Sequence, residues 1–107
     1  MAITNTFVSN IAPSIYTSDG SNAVTTMYFC NTGQKIAYLT VHVVPKNFVV
    51  APTNVVYYQI PIAVKDTYVV DTEKLILEDG DKICANLEID YDSANTRVIA
   101  TVSTIGI

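Results

Sequence analysis

The sequence predicts an all-β domain, a single antiparallel β-sandwich of about eight strands with either a jelly-roll or an immunoglobulin-like topology. Apolar residues do not recur over any sustained stretch at the three- and four-residue spacing of an amphipathic helix. Val, Ile, Thr and Tyr dominate short runs that alternate with turn residues at roughly the 8–12-residue spacing of a sandwich or barrel. Because 107 residues match the common size of one domain, we expect one sandwich at 14–107, preceded by an N-terminal arm or edge strand at 1–13.

The first half of the domain contains three predicted strands, at 14–18, 23–31 and 36–44. A turn with the sequence DGSN ends the first strand, a TGQ turn ends the second, and Pro45 stops the third. Residues 46–54 contain Pro52 and are predicted to form a loop or an edge piece.

The second half begins with a predicted strand at 55–62. Pro61 removes a hydrogen-bond donor from this strand, so the strand ends there or lies at a sheet edge. Short strands at 74–77 and 67–71 are separated from a longer one at 82–89 by the tight turn at Asp79 and Gly80. A polar loop at 90–95 precedes the last strand, at 97–105.

Side chains in a strand point alternately to opposite faces, and this period of two predicts a core. In strand 36–44, for example, Leu39 and Val41 share one face, whereas Thr40 and His42 share the other. The same rule along the chain gives a predicted core of Met27, Phe29, Leu39, Val41, Val43, Val56, Tyr58, Ile60, Val70, Leu75, Leu77, Ile83, Leu87, Val98 and Val102.

The outward positions are unusually apolar for a chain with so few charges. Only 15% of the residues are charged, against about 25% in a typical domain, and a monomer rarely exposes a large contiguous apolar area. We therefore predict an interface with other protein subunits, although loops of the chain itself are an alternative cover for some of these side chains. The predicted interface residues are Phe7, Val8, Tyr28, Tyr38, Val55, Tyr57, Val69, Ile99 and Ile105.

Charge and targeting signals exclude several classes of protein. A net charge of −4 without any basic cluster argues against nucleic-acid binding, which needs a Lys/Arg patch. No apolar run approaches the ~20 residues of a membrane helix, and the first ten residues lack the features of a signal peptide. We expect a protein that is made and kept, or assembled, in a cytoplasm.

The candidate chemical residues do not form a recognisable catalytic set. His42, the single histidine, has no G-x-S-x-G motif or local nucleophile with it, so we expect a surface or interface histidine. The loop at 90–95 fails the EF-hand pattern because Asn95 and Thr101 stand where Gly and Glu are required. The four glycines are isolated, which rules out a phosphate-binding loop. We predict that the protein is not an enzyme and uses no metal or cofactor.

Cys30 and Cys84 have a separation similar to that of the inter-sheet disulfide of immunoglobulin domains. The chain has no Trp to pack on such a bridge, and Lys82 stands where a Tyr is expected. Alternation also places Cys84 on a polar face together with Lys82 and Asn86. We expect reduced thiols, with a disulfide as the alternative.

Two stretches resemble small β-sandwich virion structural proteins of tailed bacteriophages and cyanophages. The first is FCNTG at 29–33, and the second combines IPIAVKDT at 60–67 with LILEDGDKI at 75–83. The likeness covers roughly residues 23–107, and Val64 and Lys65 depart from it where a small residue and Gly are commoner. The resemblance implies a neck, tail, baseplate-accessory or capsid-decoration component located in the virion, which binds copies of itself and other virion proteins and has no catalytic residues.

Two further possibilities follow from the residues. The uncharged segment 1–13 suits an arm that adds to the sheet edge of a neighbouring subunit, with a frayed terminus as the alternative. The alternative function is a receptor- or carbohydrate-binding module at a fibre tip, in which Tyr57, Tyr68 and Tyr91 are exposed and stack on sugar rings.

Overall fold

The computed structural model describes residues 2–11, 14–71 and 75–107, and it confirms the predicted all-β sandwich. One short 3-10 helix, at Pro52–Asn54, interrupts the strands. Eight strands lie close to the predicted positions, and the ninth comes from the N-terminal segment. In chain order the strands are β1 Ala2–Val8, β2 Ser14–Thr17, β3 Asn22–Asn31, β4 Ala37–Val44, β5 Val55–Ile62, β6 Thr67–Val70, β7 Leu75–Leu77, β8 Lys82–Asn86 and β9 Val98–Gly106.

The strands form two antiparallel sheets. Sheet A has the order β1-β9-β3-β6, and β7 pairs with β3 along the same edge as β6; sheet B has the order β2-β8-β4-β5. The first strand therefore lies beside the last in one sheet, and the second lies beside the eighth in the other. This nested winding is the strand order of a jelly roll, which decides between the two predicted topologies.

The hydrophobic core fills the space between the sheets. Most of the predicted core residues are buried there, and Phe29 at its centre has no exposed surface. Val43, Ile60 and Leu75 are only partly buried but pack against the core. Val8, Ile15 and Val24, which were not in the predicted core, help to complete it.

The predicted burial of Val56 and Tyr58 was wrong, because β5 contains a β-bulge. Leu39 of β4 lies opposite Ile60, and Val41 lies opposite Tyr57, so that the single residue Thr40 spans two residues of β5. Gln59, one of those two, has a positive φ of 53°. The extra residue shifts the alternation by one position, which turns Val56 and Tyr58 outward with 48% and 67% of their surface exposed.

The FCNTG stretch is organised by a buried asparagine, Asn31. The side-chain amide of Asn31 donates to the carbonyls of Lys35 (3.0 Å) and Ile62 (2.9 Å), and its Oδ1 accepts from Gly33 N–H (3.0 Å). A side chain at Gly33 would clash with the backbone of residues 95 and 97. Asn31 thus joins the connection after β3 to the end of β5.

Candidate contact face and polar cleft

The outer surface of sheet A is built from cross-strand rows that run over four strands. Residues directly opposite each other in antiparallel strands project to the same face of the sheet. Along β3 and β9, the residues next to them are buried, so this face is the outer one. One row consists of Phe7, Ile99, Cys30 and Thr67. The next row consists of Asn5, Thr101, Tyr28 and Val69.

This surface, which we call the sheet A face, has no charged residue. None of the strands β1, β3, β6, β7 and β9 contains Asp, Glu, Lys or Arg. Exposed apolar side chains on or beside it include Phe7 at 65%, Tyr28 at 42% and Val69 at 43%. The polar groups of the second row satisfy one another in part, since the Thr101 hydroxyl donates to Asn5 Oδ1 at 2.8 Å.

The N-terminal segment is part of the molecule's own sheet. Ala2–Val8 pairs with β9 along its whole length, from Ala2 opposite Thr104 to Val8 opposite Val98. Met1, Ala12 and Pro13 lie outside the described residues. β1 is also the outermost strand of sheet A, and it has none of the charged or proline residues that commonly protect a sheet edge.

The structure brings five of the nine predicted interface residues to one side of the molecule. These five are Phe7, Tyr28, Val69, Ile99 and Ile105. Val8 does not belong with them, because it is only 4% exposed and packs in the core, where the inward alternation of β1 directs it. Tyr38 and Val55 are half-buried residues of sheet B.

The three tyrosines proposed to stack on sugars are not exposed. Tyr57, Tyr68 and Tyr91 are all partly buried against the core. Tyr57 of β5 and Tyr68 of β6 meet edge to face with ring centroids 6.1 Å apart. Because β5 and β6 are the end strands of their sheets, these two rings fill the gap between the sheets at that side.

A cleft of about 560 Å³ lies on sheet B, beneath the segment that precedes β5. Thr40 of β4 lies opposite Asn86 of β8, and His42 lies opposite Cys84, so the floor of the cleft is the face that alternation predicted to be polar. The lining residues are Thr40, His42, Val50, Ala51, Pro52, Val55, Tyr58, Asn86 and Glu88. The sequence predicted this polar face and a loop or edge piece at 46–54, but not that the loop covers the face.

His42 and Asn54 hold that loop in place. The Oδ1 atom of Asn54 accepts from Ala51 N–H (3.1 Å), and its Nδ2 donates to the carbonyl of Val49 (2.9 Å). The contact of 2.7 Å between His42 Nδ1 and the same Oδ1 therefore requires a proton on Nδ1. His42 is only 5% exposed, so the surface alternative of the expected surface or interface histidine was wrong, and the interface alternative stays a prediction.

Asn86 is an unsatisfied polar residue in the floor of the cleft. Its side chain is 5% exposed, and its Oδ1 atom is buried without a hydrogen-bond partner. Buried polar groups are satisfied in the great majority of cases, and an exception calls for a specific explanation, such as a bound water, an ion or a functional role. The opposing hydroxyl of Thr40 accepts from Gln59 N–H at 3.2 Å and makes no hydrogen bond with this Oδ1 atom.

Cys30 and Cys84 are both free thiols. Cys30 belongs to an outward row of sheet A, whereas Cys84 alternates with the core residues Ile83 and Ala85 of sheet B. The two side chains therefore point to opposite sides of the sandwich. Burial raises the pKa of the Cys84 thiol, and the positive charge of Lys82 offsets this only in part.

The acidic turns use their carboxylates to hold the backbone. Asp92 accepts from Ala94 N–H (3.0 Å) and from the Asn95 side chain (2.9 Å), and these hydrogen bonds lower the pKa of Asp92. Asp81 accepts from the backbone N–H groups of Lys46 and Glu78, both at 3.0 Å. Within the described ranges, no three His, Cys, Asp or Glu residues gather as a metal site.

Comparisons with protein-family models, with curated proteins and with solved structures gave no match for this chain. In the described part of the chain, no helix has the length and apolar character required to cross a bilayer.

Proposed function

We propose that this domain is a non-enzymatic structural protein of a bacteriophage virion, which assembles through protein–protein contacts as a neck, tail or capsid-decorating component. The observation that carries this proposal is the sheet A face, an uncharged surface that extends over several strands. A second copy of the chain is the occupant that we propose for it.

The distribution of charge favours self-association through this face. Each copy has a net charge of −4, and like charges on two copies repel each other unless the contact surfaces are neutral. The charged residues lie outside the strands of sheet A, and Lys82 is the one charged residue in the described strands of sheet B. Two copies therefore meet with least repulsion through the sheet A face.

Two further arguments support a role in a particle. The FCNTG and LILEDGDKI stretches resemble virion proteins of tailed phages, and in this fold FCNTG forms the end of β3 and the start of the turn that Asn31 organises. Jelly rolls also occur in viral capsid proteins, although they occur in lectins and enzymes too. The fold alone is thus compatible with the proposal but does not select it.

A matched pair of valine substitutions tests the contact. Val69 of β6 and Val56 of β5 are on the end strands of opposite sheets and are exposed to a similar extent, 43% and 48%. We expect the purified protein to have more than the monomer mass in light scattering. Val69→Lys should reduce that mass towards the monomer, because it buries a charge in the interface, and Val56→Lys should leave it unchanged.

The virion assignment has its own test. Mass spectrometry of purified phage particles should detect the chain in multiple copies per particle. A protein that is monomeric at all concentrations and missing from purified particles would contradict the proposal.

A further inference from the structure

We infer that the cleft on sheet B is a binding site for a neutral, polyhydroxylated ligand of mono- or disaccharide size. The cleft lies on the opposite side of the sandwich from the sheet A face. The inference therefore does not depend on the proposed assembly role.

The size and lining of the cleft suit a small ligand. Its volume of about 560 Å³ lies within the range of roughly 300–1,000 Å³ that is common for small-molecule sites. Val50, Ala51, Pro52 and Val55 contribute an apolar wall, and a few polar groups from β4 and β8 converge on the floor. Such a combination provides contact area together with a limited number of directional hydrogen bonds.

The polar groups of the floor call for a ligand that donates hydrogen bonds. Asn86 Oδ1 has no partner and needs a donor. Because His42 Nδ1 donates to Asn54, the remaining ring nitrogen is an acceptor whenever the ring is neutral. The Thr40 hydroxyl already accepts from Gln59 N–H and keeps its own proton to donate. Hydroxyl groups, which both donate and accept, match this set.

The charges around the cleft favour a neutral ligand over an ion. The buried polar residues of the floor are Thr40, His42 and Asn86, whereas Glu88 is exposed. A cation at Asn86 would lose its hydration without a buried opposite charge, which is costly. An anion would meet Glu88, and no Lys or Arg is among the residues that line the cleft.

Tyr58 supplies a flat surface at the same cleft. Its side chain is 67% exposed, and an aromatic ring with a polar tip suits the apolar face of a sugar ring. The bulge at Gln59 is what turns Tyr58 outward, at the cost of a positive φ at a residue that is not glycine. Backbone strain of this kind is concentrated at functional sites.

NMR titration of the ¹⁵N-labelled full chain tests the inference. Maltose, lactose and N-acetylglucosamine serve as neutral ligands, and arginine hydrochloride and inorganic phosphate serve as charged ones. We expect at least one sugar to shift the backbone signals of Tyr58, Asn86 and Glu88 together with the Asn86 side-chain amide. Tyr58→Ala should weaken this binding by about tenfold or more, which corresponds to one lost contact of ordinary strength.

Two further variants serve as controls. Phe48→Ala removes an aromatic ring that is 62% exposed on the same loop but does not line the cleft, so the affinity should not change. Asn86→Leu should abolish binding while the protein keeps its folded spectrum and melts no earlier than the unmodified protein.

Three results would overturn the inference. The first is the lack of any shift with all three sugars up to their solubility limits. The second is binding of arginine or phosphate at these residues in place of a sugar. The third is sugar binding that persists unchanged in both Tyr58→Ala and Asn86→Leu. None of these results bears on the subunit mass, so failure here is distinguishable from failure of the assembly proposal.

Discussion

Two buried asparagines in this chain have opposite hydrogen-bonding environments. Asn31 has no exposed surface and makes three side-chain hydrogen bonds with the backbone. Asn86 is nearly as buried, but its Oδ1 atom has no partner. The first residue stabilises the fold, and the second costs folding free energy that a hydrogen-bond donor in the cleft, from a water molecule or a ligand, can recover.

Substitution of each asparagine by leucine should therefore have opposite effects on stability. We expect Asn86→Leu to raise the free energy of unfolding by about 1–3 kcal/mol, the typical cost of a buried polar atom without a partner. Asn31→Leu should lower it by a similar amount or more, since the carbonyls of Lys35 and Ile62 lose the Asn31 amide and Gly33 N–H keeps only its bond to the Arg97 carbonyl at 3.2 Å. Urea denaturation of both variants measures the difference, and equal destabilisation would contradict the proposed role of Asn86.

At the level of strands, the positions of the strands could be predicted from the sequence. Which residues of β5 face the core could not. Turn residues and alternating apolar runs placed eight strands to within a few residues. In β5 the same alternation failed, because the bulge depends on Gln59 in a left-handed conformation, and Gln is not a residue type that signals it. The position of the loop over the cleft was also not predictable from the sequence, since it depends on a contact between His42 and Asn54.

The N-terminal strand illustrates a different limit. Its inward positions are Thr4, Thr6 and Val8, of which only Val8 is fully buried. Two half-buried threonines give too weak an apolar pattern to separate an edge strand from a free arm. The position of β1 is determined by its pairing with β9, which is nearly a hundred residues away in the sequence. Short-range sequence patterns cannot predict such a pairing.

The bulge in β5 can be tested through Thr40. Its hydroxyl accepts the hydrogen bond of Gln59 N–H at 3.2 Å, and valine has the same shape without that acceptor. We expect Thr40→Val to lower the free energy of unfolding by about 1–3 kcal/mol, because it leaves the N–H of the bulge unsatisfied. Thr40→Ser keeps the hydroxyl and serves as the control in the same denaturation series. Equal losses in the two variants would show that the hydroxyl does not support the bulge.

For the molecule as a whole, the two sheets differ in what their outer surfaces offer. The sheet A face is broad and uncharged, whereas sheet B presents a cleft with buried polar groups. One cysteine lies on each of these two sides, so the reactivity of each thiol can be used as a probe of its own side. Cys30 lies in an outward row of sheet A, and Cys84 is buried in sheet B with its thiol pKa raised by burial.

The reactivity of Cys30, but not that of Cys84, should accordingly depend on protein concentration. In dilute protein we expect Cys30 to react with a thiol reagent much faster than Cys84, because Cys84 is inaccessible and its raised pKa leaves little thiolate at neutral pH. As concentration rises, contact through the sheet A face should slow the reaction of Cys30.

Three single-site variants complete this measurement. Cys30→Ser should leave one slow thiol, and Cys84→Ser should leave one fast thiol. Val69→Lys should abolish the concentration dependence of Cys30. If Cys30 reacts at the same rate at every concentration in the unmodified protein, the sheet A face is not a self-association surface.

The pairing of the first strand with the last also sets the order of events during synthesis. β1 is synthesised well before its partner β9, which lies about ninety residues further along the chain. Sheet A therefore cannot be completed until β9 has left the ribosome, and such long-range pairing is slow. During that interval β1 is an uncharged strand without a partner, open to mispairing. Pairing of this strand with the wrong chain is favoured most where many newly made copies lie close together on one messenger RNA.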